Sequence, residues 1–141
     1  MAESNRDVFK ISKDLARARD LLEMADERLR LVIKSIPRDI TYRILEEYYE
    51  ISIQIMTALM YLRGYKTLSH ISLIKFLSKD YGLNESDLEI LDRMRRFRHG
   101  TVYYGRKESG NFYINHEEKI KKIVNKLFKI AKKNLGAEDE K

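Results

Sequence analysis

In Ile40-Thr41-Tyr42-Arg43-Ile44-Leu45-Glu46-Glu47-Tyr48-Tyr49-Glu50-Ile51-Ser52-Ile53-Gln54-Ile55-Met56-Thr57-Ala58-Leu59-Met60-Tyr61-Leu62, apolar side chains recur at Ile40, Ile44, Tyr48, Ile51, Ile55, Leu59 and Leu62. Steps of three and four residues are the helical repeat. The later half adds Ile53, Met56, Ala58, Met60 and Tyr61, so the helix is apolar on nearly every side and belongs at the centre of a bundle. Upstream, Ile11, Leu15, Ala18, Leu22, Ala25, Leu29, Val32 and Ile36 alternate the same steps, which predicts one long amphipathic helix. Pro37 ends it, because the proline ring disfavours helical backbone at the preceding residue.

Downstream, Gly64 closes the central helix and Ser69 is an N-cap for a short third helix carrying Ile71, Ile74, Leu77 and Tyr81, stopped at Gly82. Asn84, with Asp87 three residues on, opens a fourth through Leu88, Leu91 and Met94 to Gly105. A glycine-containing loop, Arg106 to Ile114, then leads to Asn115 and Glu118 at capping-box spacing. The fifth helix follows on Ile120, Ile123, Leu127 and Ile130, with Gly136 as its stop and a frayed tail over 136–141. No segment alternates with a period of two, and there is no internal repeat, low-complexity tract or linker. The expectation is all-α: an up-and-down bundle of about five helices in a single domain over residues 1–141. The first helix holds nearly a 3.5-residue repeat, so it either packs wholly inside the bundle or turns part of its length to a second subunit.

A chain of 141 residues is long enough for a core without disulfides or metals. The absence of cysteine removes thiolate chemistry and cysteine-ligated zinc, and suits a reducing cytoplasm. The charged start, Met1 to Asp7, has no apolar run and no later run reaches the ~18 residues of a membrane span, so a cytoplasmic protein without a membrane segment is expected. A single proline and 35% charged residues suit long helices and match the composition of thermophile proteins. The net charge of +6 favours anionic partners without naming one.

Placement of the charge is more informative. In Asp92-Arg93-Met94-Arg95-Arg96-Phe97-Arg98-His99-Gly100-Thr101-Val102-Tyr103-Tyr104-Gly105, helical spacing puts Arg95, Arg98 and Val102 on the stripe begun by Leu88 and Leu91. Inward arginines need a carboxylate, a phosphate or a wet cleft. Glu46, Glu47 or Glu50 of the central helix could be a structural partner, or the planar guanidinium fork could receive a phosphate. Arg95, His99 and Tyr103 share the neighbouring stripe, and of these only His99 has an ordinary pKa, about 6.5, near neutrality. His99 is therefore either a general base or a bystander.

Gly64-Tyr65-Lys66-Thr67-Leu68-Ser69-His70, Phe76-Leu77 and the arginine stretch ending Tyr103-Tyr104-Gly105 together resemble the HEPN (higher eukaryote and prokaryote nucleotide-binding) domain superfamily. The likeness covers most of the second to fourth helices. It implies a helical bundle that forms homodimers. It also implies either a metal-independent RNase with an Arg-x(4 to 6)-His signature, or a module that binds nucleotides or partners a separate minimal nucleotidyltransferase in a toxin-antitoxin pair. Two alignments compete. Arg93 and His99 meet the loose signature; alternatively, Arg98 to Gly105 matches the family's Arg-Asn-x-x-x-His-Tyr-Gly ending, which places His99 at the Asn and Tyr103 at the catalytic His. The second fits Val102 and Gly105 better and leaves the base missing. A tyrosine with an ordinary pKa of about 10 is a poor base at neutral pH.

His70 stands where the family has a residue beside the turn before the third helix, and reads otherwise as a first-turn cap or packing residue. His116 reads as a surface residue. Lys119, Lys122, Lys126, Lys129 and Lys133 make a basic stripe that is either a solvated face or, with Arg106 and Lys107, a track for RNA. Phe97, Tyr103, Tyr104, Phe112 and Tyr113 lie near these charges, as stacking groups or as core. No phosphate loop, nucleotidyltransferase aspartate pair, nucleophile elbow or His pair at metal spacing is present, so no cofactor is expected and any catalysis would be metal-free. The leading expectation is a homodimeric module binding RNA, a nucleotide or an acidic partner through Arg93, Arg95, Arg98, Tyr103, Tyr104, Arg106 and Lys107. The alternatives are an endoribonuclease using Arg98 or Arg95 with His99 as base, and a bundle whose arginines serve structure alone.

Overall fold

A computed structural model of the chain describes residues 7–105 and 108–140, with Tyr103 through its backbone alone. Among the described residues are a two-stranded antiparallel sheet, β1 (Val8–Lys10) and β2 (Tyr65–Thr67), and five helices. The helices are α1 (Leu15–Glu27), α2 (Thr41–Arg63), α3 (His70–Leu77), α4 (Glu85–Tyr104) and α5 (Glu108–Asp139). The chain is an all-α bundle, with α2 packed chiefly on α5 and α1, and α4 and α3 laid against the same central helix. Ile44, Leu45, Tyr49, Ile51, Ile55, Met56, Leu59 and Met60 of α2 are all but inaccessible, and the buried apolar side chains form one continuous cluster around it. No helix among the described residues is long and apolar enough to cross a membrane.

The capping signals at the ends of three helices hold. Ser69 Oγ accepts from the Ser72 amide at 3.1 Å. Asn84 and Asp87 exchange reciprocal bonds of 2.8 and 3.1 Å, and Gly105 ends α4 with φ of +63°. Gly64 ends α2 with φ of +83°, and its carbonyl accepts from the Ile11 amide at 2.8 Å. A Cβ there would come within 2.8 Å of the Ile11 carbonyl oxygen, so both conformation and space demand glycine.

Elsewhere the structure departs from the sequence-based expectations. The first helix begins at Leu15 rather than Ile11, because Asp14 caps it by accepting from the Arg17 amide at 2.9 Å while the preceding residues run toward β1. The short third helix ends at Leu77 rather than reaching Tyr81. The first helix also widens into a π-helical segment, Arg28–Val32, before a last α-turn at Ile33–Ser35. That segment inserts one residue into the repeat and rotates the apolar stripe, so Ile33 is 3% exposed while Val32, expected on the stripe, is 38% exposed. Gly136 does not stop the fifth helix, which runs on to Asp139 where Arg19 and Lys13 pair with Asp139 and Glu138 at 2.6 and 3.3 Å.

The expected loop before Asn115 is helical from Glu108 onward. The boundary expected at Asn115 is present as a kink at His116, with φ of −128° and ψ of 15°, where two helical segments meet end to end. Gly110 makes this packing possible, since a Cβ there would collide with Thr41 Oγ1 at the start of α2.

Candidate phosphate-binding cleft

Helix α4 leaves the core gradually. Leu91 and Met94 are fully buried, and the stripe they begin emerges at Arg95 and Arg98, whose side chains are 25% and 27% exposed. Arg98 Nη2 lies 2.9 Å from Glu50 Oε1 and its guanidinium sits over the Tyr49 ring at 5.8 Å. Arg95 is held by Asp92, one turn back, at 2.9 Å. Glu50 is therefore the structural partner that the sequence offered for Arg98, whereas Glu47 pairs with Arg28 at 2.8 Å and Glu46 with Arg43 at 2.9 Å. The Arg98 contact is a charge contact without an aligned hydrogen bond: Glu50 Oε1 is buried and accepts none.

These arginines form one side of a cavity of about 330 Å³, lined by Tyr49, Leu68, Ser69, His70, Ile71, Arg95, Arg98 and His99. Opposite them the first residue of α3, His70, sets its Nδ1 2.7 Å from the Tyr49 hydroxyl. Burial pushes the Tyr49 phenol well above its ordinary pKa, so the hydroxyl keeps its proton and donates it to Nδ1. Burial likewise lowers the His70 pKa; Glu50 opposes this, and Arg98 and Arg95 reinforce it. His70 is thus neutral at pH 7, with Nδ1 as acceptor and the remaining proton on Nε2, a donor. The cleft gathers two guanidinium groups, the His70 imidazole and the N-terminal end of α3, a set suited to an anion.

Of the residues singled out in the sequence, Arg95, Arg98 and His99 meet in this cleft, and His99 rests edge-on against Tyr104 at 5.7 Å. Arg93 does not join them. It lies on the other flank of α4, over the Phe112 ring at 4.8 Å and 3.4 Å from His116 Nε2. Six residues at about 100° per residue account for this separation, so the Arg93 to His99 spacing brings no pair together within one chain. The Tyr103 side chain, Arg106 and Lys107 lie outside what is described. His116, expected at the surface, is half-buried and stacked on Phe112 at 4.5 Å. Within the lysine stripe Lys126 pairs with Asp87 at 2.6 Å, while Lys119, Lys122, Lys129 and Lys133 are exposed.

Sequence reasoning missed Tyr49 and undervalued His70. Tyr49 lies on a helix apolar all round, where an aromatic ring reads as core, and only its coupling to His70, 21 residues away, gives it a polar role. Among the described residues no three His, Asp or Glu side chains gather as a metal site. Comparison with protein-family models, curated proteins and solved structures found no match to the chain. Fold and site together define an all-α bundle with a donor-rich cationic cleft between its second, third and fourth helices.

Proposed function

We propose that this chain is a HEPN-like module that holds a phosphate group of RNA or of a nucleotide in the α2–α3–α4 cleft and works as a homodimer, binding without efficient cleavage. The convergence of Arg95, Arg98 and His70 on one cavity carries the reading. Arg98 is poised for exchange, because the Glu50 oxygen beside it accepts no aligned hydrogen bond and a bidentate phosphate would satisfy the guanidinium better. His70 is no base in this arrangement, since its acceptor nitrogen is occupied by Tyr49. The homodimer finds support in exposed apolar side chains at the cleft: Leu68 and Ile71 of its lining are 94% and 47% exposed, and Tyr104, against His99, is 65% exposed.

The test is RNA affinity against ionic strength. Binding of a single-stranded oligoribonucleotide should fall steeply with salt, and Arg98→Ala should weaken it about tenfold or more while the bundle stays folded. Unchanged affinity in that variant contradicts the reading.

A second reading, metal-independent endoribonuclease, is favoured by one observation: His99 lines the same cavity as Arg98 and Arg95. There an arginine steadies the scissile phosphate and His99 takes the proton of the attacking 2′-hydroxyl. Cleavage in EDTA that leaves cyclic phosphate ends and disappears in His99→Ala selects the enzyme; intact RNA selects the binding module.

A further inference from the structure

The other flank of α4 carries a second concavity, of about 470 Å³, lined by Arg93, Arg96, Phe97, Gly100 and Glu108. Phe97 stacks on Phe112 at 4.6 Å and 18°, and Phe112 stacks on His116 at 4.5 Å and 24°, a ladder of three near-parallel rings with Phe97 at one end. Phe97 is half-buried and forms part of the cavity wall. Arg93 makes no ion pair with any described carboxylate. Instead its guanidinium is braced over Phe112 at 4.8 Å and donates to His116 Nε2 at 3.4 Å. The His116 tautomer fits this arrangement, because Nδ1 is 2.9 Å from the Phe112 carbonyl oxygen and must carry the proton, leaving Nε2 as acceptor. Arg96, by contrast, is shared with Asp92 at 3.2 Å.

We propose that this cavity binds a guanine nucleotide, with the base stacked on Phe97, its phosphate on Arg93 and Arg96, and its Watson–Crick edge against the Glu108 carboxylate. The volume suits a small ligand, within the range of about 300–1,000 Å³ usual for such clefts. An aromatic ring at the end of a ladder offers a platform to any base, so stacking gives affinity and little selectivity. Glu108 supplies the selectivity. A carboxylate accepts two parallel hydrogen bonds from guanine N1–H and the exocyclic amine, whereas adenine turns the acceptor N1 toward it. A cation held against an aromatic ring and an imidazole nitrogen, with no ion pair to a described carboxylate, is already oriented for an incoming phosphate. This site shares no lining residue with the cleft proposed above and does not rest on that reading.

Calorimetric titration of the full chain with 5′-GMP, 5′-AMP and inorganic phosphate at low ionic strength is the test. GMP should bind about tenfold more tightly than AMP and more tightly than phosphate alone. Arg93→Ala should weaken GMP about tenfold, and Glu108→Gln should bring GMP and AMP to similar affinities. The proposal is overturned by equal binding of the two nucleotides to the wild type, by no heat at millimolar nucleotide, or by GMP affinity that survives Arg93→Ala and is lost in Arg98→Ala. The readout is base preference, so its failure is separate from a failure of salt-dependent RNA binding in the other cleft.

Discussion

At the scale of single residues the cleft depends on two partnerships that helical spacing alone does not reveal, Tyr49 with His70 and Glu50 with Arg98. His70 has its pKa lowered by burial, so the unfolded chain binds its proton more readily than the folded one. The bundle should therefore lose stability as pH falls through about 6.5, the unfolded value, and hold that contribution above it. His70→Gln keeps an acceptor for the Tyr49 hydroxyl and removes the titration. Thermal melts should show a smaller drop between pH 7 and pH 5 in this variant than in the wild type, and an unaltered drop would mean that His70 titrates as it does in water. Arg98 and Glu50 are each about a third exposed, so solvent screens their pair, and Arg98→Ala should cost only about 1 kcal/mol, or about 2–4 °C in Tm. A collapse of the fold in that variant would make Arg98 a structural strut rather than a ligand group. The arginines themselves were legible in the sequence, because a charge that continues an apolar stripe calls for a partner. Which carboxylate answers, and that a tyrosine of the central helix aligns the histidine, depends on contacts between residues far apart in the chain.

At the scale of elements, the caps at Ser69 and Asn84 and the glycine stops at Gly64 and Gly105 were readable because each is a local hydrogen-bonding or φ requirement. The π-helical turn of the first helix was not. A repeat of threes and fours runs through Val32 without interruption, and only packing against α2, including the Arg28 pair with the nearly inaccessible Glu47, reveals the inserted residue. The register makes a direct prediction. Ile33→Ala should cost about 2–4 kcal/mol and Val32→Ala less than about 1 kcal/mol, measured by denaturant unfolding, and the reverse order would restore the uninterrupted α-helical register. The strands β1 and β2 escaped notice for another reason, since three residues are too few to display a period of two. The helical start of α5 was hidden by Gly110, which reads as a breaker but serves as the thin point where the helix passes Thr41.

At the scale of the whole molecule the +6 charge divides into parts of different meaning. Lys119, Lys122, Lys129 and Lys133 lie exposed on α5, whereas the arginines of α4 stand at cavities on its two flanks. The exposed apolar side chains at the first cavity bear on assembly. Light scattering at tens of micromolar should give twice the 16.8 kDa chain mass, and Leu68→Glu should return the single-chain mass without loss of helicity. A wild-type monomer would remove the homodimer from the proposal while leaving the cleft itself untouched. What the cleft takes is tested most directly by following side-chain nitrogen resonances while a short uridine oligoribonucleotide is titrated in at low salt. The expectation is that the Arg98 and Arg95 guanidinium signals and the His70 Nε2–H shift together and saturate, with His70 remaining neutral. Shifts confined to the lysine face of α5, or none at saturating RNA, would contradict it.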